Sequence, residues 1–417
     1  MMPTHPTGHR PLPLHVLAIA SLGLAGQALA QDHASAESPS DPGGADGAGR
    51  LSWVEAEAAT LVNHVQLTTA DRFYKAGESY FSPDDSRIIF QAIPAPQDGA
   101  EPDEIYAMFV ADVDRGPDGR ITGLGKVHRI SPPGSANTCG WWDPNRPNVV
   151  LFATTVGPPS PGSPPGYNRK TGRYRWMFPP EMRIVRLDLA HPVRAEELPV
   201  IAGDGHAYHA EDALSPDGRF LVYCSLESGQ GDLYVMDMAT RTTRRVVSAP
   251  GYDGGPFFSP DGKRICYRSD RRGDNLLQLF VADLAFDDDG SVVGIEREHQ
   301  LTDNQHVNWA PFWHPDGRHL VYATSEMGHA NYEIFIIDAD PGTQPGSTGS
   351  VRYGAGKRRV TAAPRADVLP AFSHDGKTMI WTSQRGRDGR SQIWAADFVM
   401  PLDPAPTKPP IGSRDSR

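Results

Sequence analysis

A short turn-centred segment recurs six times along this chain of 417 residues, and such a repeat restricts the possible folds more than any other feature of the sequence. The copies are YFSPDDSRIIF (80–90), WWDPNRPNVVLF (141–152), ALSPDGRFLVY (213–223), FFSPDGKRICY (257–267), FWHPDGRHLVY (312–322) and AFSHDGKTMIW (371–381). In most copies Pro fixes the first turn position, Asp favours the next and Gly accepts positive φ. An alternating strand that ends on an aromatic residue follows, so each copy predicts a β-hairpin.

Each copy is followed by a further strand that closes on aspartate. These aspartates are Asp112, Asp188, Asp237, Asp283, Asp338 and Asp397. A shorter fourth strand follows in most copies, as in TRRVVS (243–248) and EHQLT (298–302). Four strands in each of six repeats predict an all-β fold, a six-bladed β-propeller of four-stranded antiparallel blades.

The sixth copy lacks a fourth strand of its own, because the sequence becomes proline-rich after Met400. Near the other end, NHVQLT (63–68) is similar to the fourth-strand sequence that ends Gln300-Leu301-Thr302. We therefore expect this N-terminal strand to pair with blade six and close the ring. An open ring would leave two sheet edges free to aggregate.

The SPDG turns and the Asp-ended third strands resemble the WD40-like repeats of TolB-like six-bladed propellers, over roughly residues 63–400. The resemblance implies the fold and, since such propellers serve many tasks, leaves the function open. TolB proteins carry a sizeable α/β domain before the propeller, which is not expected here. The propellers of prolyl oligopeptidase relatives accompany a hydrolase domain with a G-x-S-x-G elbow. This sequence contains no G-x-S-x-G, which argues against a serine peptidase.

The N-terminal region predicts export. Arg10 precedes an apolar run from Leu12 to Gly26, and Ala28-Leu29-Ala30 matches a signal-peptidase site. We expect a signal peptide at 1–30, a disordered linker at 31–50, the propeller at 51–400 and a flexible tail at 401–417. The run is too short to span a membrane comfortably, and no other stretch qualifies. The mature chain would then be periplasmic or secreted, without a transmembrane segment.

The formal net charge is −11, and it becomes −12 after cleavage at Ala30 because Arg10 is the only charged residue in the first thirty. Such a surface repels nucleic acid, so a nucleic-acid partner is not expected.

Propeller topology places polar residues near one mouth of the central channel. Counting back seven residues from each turn proline, or from His374 in the last copy, gives Ala76, Asn137, His209, Asp253, Asn308 and Asp367. Two residues later, on the same side of an ideal strand, come Glu78, Cys139, Glu211, Gly255, Ala310 and Leu369. The candidate ligand-binding residues are Asn137, His209, Glu211, Asp253, His306, Asn308 and Asp367. The alternative is a hydrated channel whose side chains satisfy backbone groups and water.

No motif implies a cofactor, and no H-E-x-x-H is present. Imidazole and carboxylate groups suit a divalent cation, so His209, Glu211 and Asp253 are the candidate metal ligands. We also expect Arg268, Arg271 and Arg272 to pair with acidic neighbours across blades.

The connection at 156–181 is unusually long and falls on the same face as these polar residues. Its basic and aromatic candidates for ligand binding are Tyr167, Arg173, Tyr174, Arg175 and Trp176. Arg and aromatic side chains are common anchors of recognition. The alternative is a loop that folds down and caps its own propeller.

Two functions fit these observations. The first is a non-enzymatic binding module that presents its loop face to a protein or a cell-envelope polymer. The second is a metal-assisted carbohydrate-active enzyme, a lyase or hydrolase, with its site at the channel mouth. Catalysis stays an open question at this point, with binding favoured, and the sequence does not predict the oligomeric state.

Overall fold

A computed structural model describes residues 51–97, 99–161, 178–339 and 353–401, and the backbone of 166–168 and 173–175. It contains six four-stranded sheets and one two-stranded sheet, in which every strand pairing is antiparallel. This confirms the all-β, six-bladed prediction. The predicted signal peptide, linker and most of the predicted tail lie outside the described residues. Within the described part of the chain, no helix is long and apolar enough to cross a membrane.

The strands follow the repeat in chain order. Helix α1 (Trp53–Glu57) and strand β1 (Leu61–Gln66) come first. Blade I contains β2 (Phe73–Phe81), β3 (Arg87–Pro94), β4 (Ala107–Arg115) and β5 (Ile121–Arg129). Blade II contains β6 (Asn137–Trp142), β7 (Val149–Thr154), β10 (Arg183–Asp188) and β11 (Val200–Ala202), with the hairpin β8 (Gly166–Asn168) and β9 (Arg173–Arg175) inserted between β7 and β10.

The remaining blades are more regular. Blade III contains β12 (His209–Leu214), β13 (Phe220–Ser225), β14 (Asp232–Asp237) and β15 (Thr243–Val247). Blade IV contains β16 (Asp253–Phe258), β17 (Arg264–Ser269), β18 (Gln278–Phe286) and β19 (Val292–Gln300). Blade V contains β20 (Asn308–Trp313), β21 (His319–Thr324), β22 (Glu333–Asp338) and β23 (Arg358–Arg359). Blade VI contains β24 (Asp367–Phe372), β25 (Thr378–Ser383) and β26 (Gln392–Phe398).

The aromatic residues that were predicted to end the second strands lie inside them, because each strand continues for at least two more residues, and they form part of the core between blades. Each is at most 4% exposed: Phe90, Phe152, Tyr223, Tyr267, Tyr322 and Trp381. Burying such a ring supplies about 1.5–3 kcal/mol of hydrophobic stabilisation. The repeat therefore provides one large core side chain in every blade.

Strand β1 completes blade VI, as expected from the sequence. It pairs antiparallel with β26, with Leu61 opposite Phe398 and Gln66 opposite Trp394. The backbone amides of Leu67 and Thr68 continue the pairing by donating to the Ile393 carbonyl. The pairing begins two residues before the predicted 63–68, and a register shift at Asn63 accompanies the positive φ of that residue, 57°.

A buried ion triad fastens the N-terminal segment to blade VI. The Arg385 guanidinium lies 2.9 Å from a Glu57 carboxylate oxygen and 3.0 Å from an Asp367 oxygen, and all three side chains are at most 1% exposed. The ring centres of Trp53 and Trp381 lie 4.5 and 4.9 Å from the guanidinium carbon. Burial opposes ionisation of Glu57, but its bonds from His64 and Arg385 outweigh burial and hold its pKa below the usual value. We call Glu57, Arg385 and Asp367 the closure triad.

Each innermost strand contains one residue in the left-handed region of φ. These residues are Glu78, Cys139, Glu211, Gly255, Ala310 and Leu369, with φ between 47° and 60°. The pairing register shifts at the same place in all six blades. A bulge of this kind re-aims a side chain. The expectation that these residues lie on the same side of the strand as those two positions earlier is therefore wrong, because it assumed unbroken alternation.

Candidate functional site

The polar residues at the starts of the innermost strands are buried. Asn137, His209, Asp253, Asn308 and Asp367 are each at most 5% exposed. In three blades the residue pairs with a side chain 18 positions later. His209 lies 3.3 Å from Glu227, Asp253 lies 3.4 Å from Arg271, and Asp367 lies 3.0 Å from Arg385.

The two asparagines in this set join neighbouring segments. Asn137 Nδ2 donates to the Tyr106 carbonyl of the preceding blade at 2.9 Å. Asn308 Nδ2 donates to Gln278 Oε1 at 3.2 Å and to the His306 carbonyl at 3.1 Å. His306 is only partly buried. These contacts match the alternative in which polar side chains satisfy other groups of the propeller. Ligand binding by these residues stays a prediction.

Each of the three candidate metal ligands is hydrogen-bonded or ion-paired with other groups of the protein. His209 contacts the Ser225 hydroxyl at 3.2 Å as well as Glu227, and Asp253 accepts from the Ala249 amide at 2.9 Å. Glu211 lies in the central cavity described below. The described residues contain no group of three or more His, Cys, Asp and Glu side chains spaced to hold a metal ion. The structure therefore does not bring His209, Glu211 and Asp253 together as a metal centre.

The six left-handed residues meet around a small cavity at the centre of the ring. Its volume is about 30 Å³, enough for one or two water molecules. The lining includes all six of these residues and, in addition, Tyr80, Asp212, Arg268 and Trp309. We call this space the central cavity. The bulge thus places one residue of each blade beside the channel axis: its side chain in five blades, and the Cα of Gly255 in blade IV.

Glu211 and Arg268 form the main ion pair of the central cavity. Arg268 Nη2 lies 3.1 Å from Glu211 Oε2, and the side chains are 6% and 2% exposed. Glu211 also accepts from the Tyr252 hydroxyl at 2.6 Å and from the Gly255 amide at 2.6 Å. The pair connects blades III and IV, which confirms that Arg268 has an acidic partner across blades. The same prediction is wrong for Arg271, which pairs with Asp253 and Glu298 of its own blade. Donors from these three residues within one buried cluster give Glu211 a fixed position.

Two glycines make room for this cluster. A Cβ atom at Gly254 would lie 1.8 Å from the Tyr252 hydroxyl oxygen, and one at Gly255 would lie 2.0 Å from Arg268 Nη1. Any larger residue would displace the ion pair or its hydroxyl donor. Glycine is therefore needed at both positions because the space is too small for a side chain, and at Gly255 it also suits the left-handed backbone.

Several buried polar atoms of the central cavity have no hydrogen-bond partner in the described part of the chain. They are both carboxyl oxygens of Asp212, Nε of Arg268 and Nε1 of Trp309. Burial raises the pKa of Asp212 well above its usual range. Burial and the nearby Glu211 carboxylate also raise the pKa of Glu78. Asp212 and Glu78 therefore hold protons more tightly in the folded protein than in the unfolded chain.

Replacing Asp212 with Asn tests this protonation. Because the folded-state pKa of Asp212 is raised, the wild-type protein loses stability as pH rises above about 4, the carboxyl value of an unfolded chain. The Asn variant lacks this titration. The difference in unfolding free energy should therefore move in favour of Asp212→Asn by about 1.4 kcal/mol for each pH unit between the two pKa values. Urea unfolding at several pH values measures it, and a pH-independent difference would contradict the assignment.

Aromatic rings close the central cavity on the side of the six repeat turns. Tyr80 and Trp141 have ring centres 5.1 Å apart, and Phe257 and Phe312 have ring centres 5.2 Å apart. Tyr80 also stacks on Phe312 at 5.8 Å. We call these four residues the aromatic floor. Above them, on the face that carries the turns, opens a funnel of about 460 Å³.

The inserted hairpin of blade II lies on the opposite face. Strand β7 ends at Thr154, which pairs with Asn137 at the start of the innermost strand. In the hairpin, Tyr167 pairs with Tyr174 and Asn168 with Arg173. Trp176 lies outside the described residues, as do the side chains of Tyr167, Arg173, Tyr174 and Arg175. The chain returns at Phe178, whose ring lies 4.7 Å from Tyr208 and 6.2 Å from Tyr252.

Several residues of these sites do not stand out in the sequence. Tyr252, Trp309 and the aromatic floor are examples. One signal was available: the aromatic floor occupies the position four residues after Ala76, Asn137, Asp253 and Asn308. The charge-complementary pairs 18 residues apart were a second signal.

Comparison with known proteins agrees with the fold. The family model described as TolB beta propeller domain matches residues 201–292. An uncharacterized protein of Agrobacterium fabrum is 31% identical over 26% of this chain and 34% of its own length. The Tol-Pal system protein TolB of Francisella tularensis is 25% identical over 46% of this chain and 38% of its own length. The chain thus spans little more than a third of either curated relative.

A solved structure of TolB from Acinetobacter baumannii is also similar. It aligns with a TM-score of 0.47 and 20% identity, over 76% of this chain and 64% of that protein. The repeat sequence, the family match at 201–292 and the ring of six four-stranded sheets lead to one conclusion. The chain carries a TolB-like six-bladed β-propeller.

Proposed function

We propose that this protein is an exported binding module that recognises a protein or a cell-envelope polymer through its loop face. The loop face is the side on which the innermost strands begin and the second strands end. The inserted hairpin is the observation that supports this most directly. Residues 155–182 separate β7 from β10, whereas only residues 226–231 separate the equivalent strands of blade III.

The composition of the hairpin suits recognition. Tyr167 and Tyr174 are cross-strand partners, and Arg173 and Arg175 lie in the same short strand. Tyr and Arg are enriched among residues that dominate binding energy. Arg169 and Lys170 add further positive charge within a chain of net charge −11. A partner with acidic groups fits this local charge.

The base of the hairpin is held against the propeller. Phe178 packs on Tyr208 and Tyr252, and Tyr252 donates to Glu211 in the central cavity. A hairpin fixed at its base loses less conformational freedom on binding than an unanchored loop. This anchoring supports a preformed recognition element beside the channel.

The test is capture of a partner from a periplasmic fraction of the native cell. Changing Tyr174 and Trp176 to Ala should weaken capture about tenfold or more, because loss of an aromatic anchor commonly costs 2 kcal/mol or more. The matched control changes two exposed residues of the opposite face, Lys263→Ala and Arg318→Ala. Equal retention by both variants would remove the hairpin from the binding site.

A further inference from the structure

We propose that the proline-rich segment 402–410 of this chain docks into the funnel on the turn face, the side that carries the six repeat turns. This site is separate from the loop face and does not depend on the proposed partner. The funnel has the aromatic floor at its base. Its rim contains the first turn residue of every blade: Pro83, Pro144, Pro216, Pro260, Pro315 and His374.

The lining chemistry points to a proline-rich occupant. Grooves lined by aromatic rings bind extended polyproline II segments, whose preformed backbone reduces the entropy lost on docking. Trp141, Phe257 and Phe312 are each only partly buried, so their rings are available at the base of the funnel. Segment 402–410 reads LDPAPTKPP and contains four prolines.

The chain reaches the turn face immediately before this segment. Strand β26 ends at Phe398, whose amide donates to the Lys377 carbonyl in the last repeat turn. The Phe398 ring lies 4.8 Å from Phe372, and Phe372 lines the funnel. The described chain therefore ends on the turn face, about two strand spacings from the groove that the segment is proposed to fill.

The length of the segment is sufficient. Strand β26 is the third strand of its blade, so about 10 Å separate it from the innermost strand at a spacing of about 4.8 Å. A polyproline II segment advances about 3.1 Å per residue. About three residues therefore span this distance, and the remainder of the segment would extend over the aromatic floor.

The rim is interrupted where the segment would cross it. Five blades place a proline at the first turn position, whereas blade VI places His374 there. The His374 side chain is 58% exposed and is held by Asp85 at 2.8 Å. Blade VI is also the blade from which the segment leaves. The blade that lacks a proline at the first turn position is thus the same blade from which the chain leaves the propeller.

The experiment is a competition in the full-length protein. A fluorescent peptide of residues 399–412 is titrated into the wild-type chain and into a variant with Pro404, Pro406, Pro409 and Pro410 changed to Ala. We expect the peptide to bind the variant at least about tenfold more tightly, because the wild-type segment competes at a millimolar effective concentration. The control variant Ser413→Ala, Arg414→Ala, Asp415→Ala should behave like the wild type.

A spectroscopic measurement locates the contact. With 5-fluorotryptophan incorporated, the Trp141 resonance is identified by its loss in Trp141→Phe. It should shift in the four-proline variant and return when the peptide is added. Equal peptide affinities, or a Trp141 resonance that does not respond, would overturn the proposal. A wild-type dimer that dissociates when the prolines are replaced would also overturn it, since the occupant would then come from a second copy.

Discussion

Replacing Arg385 with Met is expected to lower the free energy of unfolding by about 3–5 kcal/mol, the usual cost of leaving buried charges without their partner. Arg385, Glu57 and Asp367 are almost completely excluded from solvent. Met keeps most of the side-chain volume between Trp53 and Trp381, so loss of charge pairing, rather than a cavity, would cause the effect. Chemical denaturation of the purified variant measures it.

The chain offers a matched control for this substitution. Arg271 in blade IV follows Ser269 as Arg385 follows Ser383, and it pairs with Asp253 as Arg385 pairs with Asp367. Its side chain is 24% exposed, whereas that of Arg385 is 0% exposed. Arg271→Met should therefore cost less, because its other carboxylate partner, Glu298, is 32% exposed and stays in contact with water. Equal losses in the two variants would show that burial of the triad is not the cause.

Replacing Arg268 with Met is the second change with a large expected effect, again about 3–5 kcal/mol of unfolding free energy. Arg268 is the cation that neutralises Glu211 within the central cavity, where Glu78 and Asp212 also lie. The variant would leave Glu211 with donors from Tyr252 and Gly255 but without a charge partner. Denaturant unfolding followed by fluorescence checks the loss.

A double substitution separates charge from packing. Adding Glu211→Gln to Arg268→Met removes the unpaired charge, so it should recover a substantial part of the loss in a double-mutant cycle. An exposed pair provides the baseline: Arg194 and Glu197 are 73% and 47% exposed, and Arg194→Met should change stability by less than about 1 kcal/mol. If the double variant is no more stable than Arg268→Met, loss of packing accounts for the effect.

The strand plan could be predicted from the sequence because turn chemistry is local. Pro and Gly in the repeated turns, and the aromatic residue within each second strand, act within a few residues of their own position. The same holds for the closing strand, since Gln66-Leu67-Thr68 matches Gln300-Leu301-Thr302. Its start was predicted two residues late, since the pairing begins at Leu61, and the register shift at Asn63 was not predicted.

The central cavity could not be predicted in the same way. Positive φ at the bulge would be suggested by glycine, yet only Gly255 of the six bulge residues is one. At the other positions, such as Glu211 and Leu369, tertiary structure imposes a backbone that the residue type does not favour. The assumption of unbroken alternation therefore misassigned which residues face the axis. Asp253 and Asp367, which were expected near the channel mouth, are instead buried in ion pairs with Arg271 and Arg385.

The bulge also has a consequence for how such a molecule can diversify. Each blade presents one residue to the axis, and its backbone conformation is the same whether that residue is glutamate, cysteine, alanine, leucine or glycine. Glu211 and Gly255 are constrained by the ion pair with Arg268, whereas Cys139, Ala310 and Leu369 take no part in it. Single replacements at those three positions would alter the polarity and width of the interior while the blades around it keep the same backbone.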